Sequence, residues 1–191
     1  MEMNNMTFGD YAAVFPCLTN ESIESNNEVL NKAEKPQRIF GKEVPDSLKL
    51  ITFGQYSDLC DEFGKPQDLS IIENVAKILF NATDQEIYNA PVGDMWGLCN
   101  WAAKEIGYIN NIFSEIRMDY TEQEKKAGIE KLQFGTFGIL DWYARRMGIH
   151  DQNLVNNEKW VRIYQCMKND MEDAKFQRRL QKVYEMESKR K

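Results

Sequence analysis

A chain of 191 residues with 42% apolar and 28% charged side chains has the composition of one globular domain with an appended segment. Its net charge of −6 and pI near 5.0 argue against a nucleic-acid binder, which needs clustered Lys and Arg to meet phosphate. No stretch approaches the roughly 18 apolar residues of a membrane span, and the polar, acidic start MEMNNMTFGDYAAVF lacks the basic and apolar regions of a signal peptide.

Residues 1–36 read as an extended acidic arm, with six acidic residues (2, 10, 21, 24, 28, 34) against two lysines (32, 35) and asparagine at 20, 26, 27 and 31. The apolar cluster Phe8, Tyr11, Val14 and Phe15 stands out within it. It suits either a docking peptide or a segment that packs back on its own domain.

Residues 37–191 read as a mainly α domain, opened by a small β element over about 38–51. Ile39-Phe40, Gly41-Lys42 and Val44 suggest a short strand and turn. Leu48 and Leu50 alternate with Ser47 and Lys49 like a half-buried strand, which Pro45 would confine to an edge or an end.

Helix signals fill the rest. Thr52/Gln55, Ser70/Glu73, Thr83/Glu86 and Thr121/Glu124 have the capping-box spacing, in which the hydroxyl and the longer side chain each satisfy a free backbone N–H. After Thr52, Phe53, Tyr56, Leu59, Cys60 and Phe63 share one face; Gly64 and Pro66 close the helix. Ile72, Val75, Ala76 and Leu79 follow Asp68 or Ser70, and a short helix after Thr83 stops before Pro91. The segment from about Val92 to Met118 predicts the longest helix. It is apolar on more than one side and therefore central, with Gly97 and Gly107 suited to close helix crossings. A charged helix follows Thr121, and the next runs from Thr136 to Met147, with Gly148 as its left-handed stop and Ile149 covering the end. Two further helices are expected, one with Trp160, Ile163, Tyr164 and Met167, and a tail helix with Phe176, Leu180, Val183 and Tyr184.

No catalytic constellation is visible. The single histidine, His150, lies beside Asp151 past a helix end. Asp141 is placed for an ion pair with Arg145 four residues on. The four cysteines form no Cys-x-x-Cys pair and read as small apolar residues kept reduced. The expectation is no enzyme activity, no cofactor and no metal site. Four tryptophans exceed what the packing of such a body needs, so one or two are candidates to line a groove for an apolar helix. The candidate partner-binding residues are Phe8, Tyr11, Phe15, Trp142, Trp160, Phe176, Arg178 and Arg179. Gly54, Gly135 and Gly138 are candidate close-packing points, with Phe53, Phe134 and Phe137 plugging the core.

The stretch V44-P-D-S-L-K-L-I-T-F-G-Q-Y-S-D-L59 resembles the start of the tail-assembly-chaperone-like proteins encoded among tail genes of tailed bacteriophages, especially those of gut Bacteroidetes. I109-N-N-I-F-S, L132-Q-F-G-T-F-G-I-L-D-W-Y-A-R-R-M-G, W160-V-R-I-Y-Q-C-M and F176-Q-R-R-L-Q-K-V-Y fit the same pattern, which spans roughly residues 39–184. The resemblance implies a morphogenesis protein in the bacterial host cytoplasm. It would bind other phage proteins, above all the long tape-measure protein, without nucleic-acid specificity or a membrane. A structural virion part, such as a connector or ring subunit that forms a homo-oligomer, is the alternative.

Overall fold

The computed structural model describes residues 6–66, 68–116, 120–132 and 134–189. The protein is mainly α, with one two-stranded antiparallel hairpin among the described residues. The helices are α1 (Phe8–Val14), α2 (Asn20–Leu30), α3 (Phe53–Phe63), α4 (Leu69–Phe80), α5 (Asp84–Asn89), α6 (Val92–Ser114), α7 (Glu122–Lys126), α8 (Gly135–Met147) and α9 (Trp160–Ser188).

The hairpin pairs β1 (Arg38–Ile39) with β2 (Lys42–Glu43). Phe40 and Gly41 turn it with φ of 52° and 71°, the doubly left-handed corner that suits a tight hairpin. The strand expected around Leu48 does not form. Leu48–Leu50 is a 3-10 turn that buries Leu48 and leaves Leu50 in solvent. A two-residue alternation fits one turn of such a helix as well as it fits a strand.

Helix α6 is the centre of the fold. It packs against α1, α2, α3, α4 and the Leu48–Leu50 turn, and buries Met95, Trp96, Leu98, Ala102, Ile106 and Ile109. It ends at Ser114, short of the expected boundary; Met118 lies outside the described residues. Gly97 is a point of close approach, but to the chain after α2 and not to a helix. A Cβ there would lie 1.9 Å from the Glu34 carbonyl oxygen. Gly107 faces open space.

The described part of the expected arm, from Met6 on, is not extended. A capping box at Thr7 and Asp10 starts α1, and Thr19 caps α2 by accepting from the Ser22 N–H. Phe8 and Tyr11 are buried, with Tyr11 edge-on to Trp96 at 5.3 Å between centroids. Helix α1 is fixed by Phe8 N–H donating to the Ala90 carbonyl at 2.8 Å and Val92 N–H to Met6 at 3.0 Å. Two aromatic side chains entering the core outweigh the polar composition around them.

Capping boxes form at Thr52/Gln55, Thr83/Glu86 and Thr121/Glu124. The one expected at Ser70/Glu73 does not, because α4 starts at Leu69 behind Asp68 and Ser70 is already inside the helix. Gly148 ends α8 with φ 67°, and the Ile149 N–H returns to the Ala144 carbonyl at 2.9 Å.

The longest described helix is α9, 29 residues in one piece where two helices were expected. At about 1.5 Å per residue it is about 44 Å long. No Gly or Pro interrupts it. Its first half is locked to the body: Trp160 and Ile163 are buried, and the Trp160 indole N–H donates to the Leu48 carbonyl at 2.8 Å. Beyond Met171 no described residue of α9 is buried.

Candidate partner-binding surface

The continuous α9 carries two apolar stripes. At about 100° per residue, Trp160, Tyr164, Met167 and Met171 fall on one side, and Phe176, Leu180 and Val183 fall on the other. The first stripe meets the core. The second does not: Phe176, Val183, Tyr184 and Met186 are exposed large apolar side chains. The change of face is what makes one helix read as two in sequence.

Two ion pairs tie α9 to neighbouring helices, one at Asp170 before the distal half and one at Arg178 within it. Arg146 of α8 bonds Asp170 through Nε and Nη2 at 3.0–3.1 Å. Arg178 meets Glu124 of α7 at 2.7 Å. Glu124 also closes the capping box of α7, and its carboxyl is held below the usual range by the Thr121 backbone N–H first, the Thr121 hydroxyl next, and Arg178. Arg179 is exposed beside the distal stripe.

A second exposed apolar group lies at the start of α8. Leu132, Phe134 and Phe137 are 57–70% exposed, so the two phenylalanines do not plug the core as expected. Phe137 shares the face of Leu140 and Ala144, which do pack inward, but the first turn of α8 overhangs the body. Gly135 is not a close-packing point either. Nothing lies within 4 Å of where its Cβ would stand, and its φ of 55° explains the residue. Gly138 is tight only against Phe134 of its own turn, at 2.4 Å. Gly54 alone matches the expectation. Its missing Cβ admits Asn156, whose Cβ and carbonyl oxygen would lie 3.1 Å away.

The other candidate residues divide by burial. Phe8, Tyr11 and Trp160 belong to the core and offer no surface, while Phe15 and Trp142 are half-buried against it. Phe176, Arg178 and Arg179 lie on the distal segment of α9, with Arg178 turned toward Glu124 of α7 and Phe176 on the opposite side. The sequence reading missed a groove between α2 and the pair α4 and α6, a cavity of about 370 Å³ floored by Ile71, Ile72, Trp96, Cys99 and Ala103. Burial pushes the Cys99 thiol up to about 11.

Polar side chains form structural contacts. Asp141 accepts from Gln152 at 2.8 Å and pairs with Arg145 at 2.7 Å, the spacing expected of an i,i+4 ion pair. The Tyr56 hydroxyl donates to the Asn110 side-chain oxygen at 2.7 Å; burial, then the neighbouring Cys60, raises its pKa. His150 is exposed. Among the described residues no three His, Cys, Asp or Glu side chains are grouped to hold a metal ion, and no helix is long and apolar enough to cross a membrane.

No family model, curated protein or solved structure matches this chain.

Proposed function

We propose that this protein is a non-enzymatic phage morphogenesis factor that shields apolar helices of another tail protein, in the manner of a tail assembly chaperone. The supporting observation is the distal stripe of α9. Phe176, Leu180 and Val183 recur at helical spacing on the side turned away from the protein's own core. Phe176 and Val183 are exposed and Leu180 is half-buried; leaving exposed apolar side chains in water forgoes about 1.5–3 kcal/mol for each one that could be fully buried. A matching apolar helix recovers that free energy, and the sequence resemblance names the tape-measure protein as the client.

Co-expression tests the reading. The client encoded beside this chain should become soluble with it and aggregate without it. The second reading, a connector or ring subunit retained in the particle, draws on the exposed phenylalanines of α8 as an additional contact surface. Mass spectrometry of purified particles separates the two, since stoichiometric presence favours the virion part and absence favours the chaperone.

A further inference from the structure

One stretch of α9 differs in charge from the rest of the protein. The chain has a net charge of −6, yet from Ala174 to Tyr184 it carries four cations, Lys175, Arg178, Arg179 and Lys182, and no anion. Two of the four are engaged within the protein. Lys175 reaches back to Glu172 at 3.5 Å, and Arg178 meets Glu124 of α7 at 2.7 Å. Arg179 and Lys182 are exposed and make no ion pair among the described residues.

At about 100° per residue, both fall on one flank of the stripe of Phe176, Leu180 and Val183, in line with Met186. The other flank carries Gln177, Gln181 and Tyr184 and is uncharged. Acids close the stripe at its ends, Glu172 and Asp173 before Phe176 and Glu187 after Val183. From Phe176 to Met186 the apolar surface runs for about 15 Å.

This pattern restricts what can cover the stripe. A second copy packing the same stripe against it would bring Arg179 and Lys182 to the seam from both sides, and like charges there repel. The protein's own acidic helix is α2, with Glu21, Glu24 and Glu28 and no cation. Of its apolar side chains Val29 is exposed, Ile23 half-buried and Leu30 buried, so it offers no stripe to match. An anionic lipid surface attracts the two cations, but laying the stripe on it carries Glu172, Asp173 and Glu187 to the same negative surface.

We propose that the distal stripe of α9 takes an acidic amphipathic helix of a partner protein, with carboxylates along one edge of its apolar stripe to pair with Arg179 and Lys182. The length of the apolar surface sets about three turns for the contact. Apolar burial supplies affinity, and the one-sided charge fixes orientation and rejects basic helices. This rests on the reading of a helix-shielding protein and names the chemistry of its client.

The test uses the full chain and two fluorescein-labelled, alanine-based helical peptides with leucines spaced four, three and four residues apart. Along one edge of the leucine stripe one peptide carries glutamate and the other lysine. Anisotropy at low salt should show the glutamate peptide binding at least tenfold more tightly, and added NaCl should shrink that advantage. Arg179→Glu with Lys182→Glu should reverse the preference at an unchanged melting temperature, since both side chains are exposed. Phe176→Ser with Val183→Ser should abolish binding of both peptides.

Equal binding of the two peptides, binding of neither, or a preference that survives charge reversal overturns the proposal. So does a dimer in light scattering of the parent chain that Phe176→Ser with Val183→Ser dissolves, which would assign the stripe to a second copy. So does co-sedimentation with phosphatidylserine vesicles that charge reversal abolishes, which would assign it to a lipid surface. Co-expression separates this failure from that of the functional reading. If the peptides bind without preference while the proposed client is still solubilised, the charge proposal falls alone. If the glutamate peptide binds as expected and the client is not solubilised, the functional reading falls alone.

Discussion

The Trp160 indole donates its N–H to the carbonyl of Leu48 at 2.8 Å, joining the first turn of α9 to the 3-10 turn after the hairpin. Both residues are buried. Trp160 therefore serves the fold, and the groove-lining role its sequence context suggested does not apply. Trp160→Phe keeps much of the apolar packing but leaves a buried carbonyl without its donor. The expected loss is about 1–3 kcal/mol, measurable by urea denaturation, with solubilisation of the proposed client retained under conditions where the variant stays folded.

Gly54 and Asn156 make the second such junction. A Cβ on Gly54 would press on the Asn156 Cβ and carbonyl oxygen at 3.1 Å. The turn carrying Asn156 cannot retreat easily, since Val155 is buried and the Glu158 carbonyl accepts from the Phe53 N–H at 2.7 Å. Gly54→Ala should destabilise by about 1–3 kcal/mol through overpacking. Gly135→Ala should cost about 1–2 kcal/mol for a different reason, its left-handed backbone. Thermal melts of the two variants check both.

The capping contrast is equally direct. Thr52→Ala removes the acceptor for the Gln55 N–H and should cost about 1 kcal/mol. Ser70→Ala, at a position with the same sequence signature but inside α4, should change stability by less than about 0.5 kcal/mol. Denaturant midpoints of the pair test whether α4 starts behind Asp68.

Glu62 should contribute to the acid limb of stability. Its carboxyl is held below the usual range by the hydrogen bond from Lys65 first, with the Asn74 amide adding to it, while desolvation opposes both. A carboxylate with a depressed folded pKa stabilises the fold above its unfolded pKa, about 4.3. That contribution is lost as pH falls through the folded value. Glu62→Gln should therefore lower stability at pH 7 and flatten the fall below about pH 4.3, as read from melting temperature against pH.

Local chemistry was legible in the sequence where one residue decides the outcome. Thr52, Thr83 and Thr121 each start a helix with a partner three residues on, and Gly148 stops α8 in a left-handed conformation. The mainly α class and the Phe40-Gly41 turn follow from the same kind of signal. What stayed hidden depends on neighbours far away in the chain. Ser70 has the cap pattern, but α4 begins earlier. Phe8 and Tyr11 sit in a polar stretch, and only the position of Trp96 and Ala90 shows why they are buried. Phe134 and Phe137 look like core residues until the overhang of α8 is seen. The distal stripe of α9 was visible as apolar spacing, but its side of the helix was not, because that requires knowing that Trp160 to Ser188 is continuous. The groove beside α2 left no periodic mark, since the apolar residues on its wall, Ile71, Ile72 and Trp96, are ordinary core of α4 and α6.

The α9 surface is tested most directly by pairing Phe176→Ser with Val183→Ser in one chain. Both side chains are exposed, so the melting point should stay close to that of the parent, the two changes costing within about 0.5 kcal/mol each. The decisive quantity is the soluble fraction of the proposed client, a co-expressed tape-measure protein. It should be high with the parent chain and fall to the level seen without any partner when both serines are present. A doubly substituted protein that folds normally and keeps the client fully soluble would contradict the assignment of this stripe to partner binding.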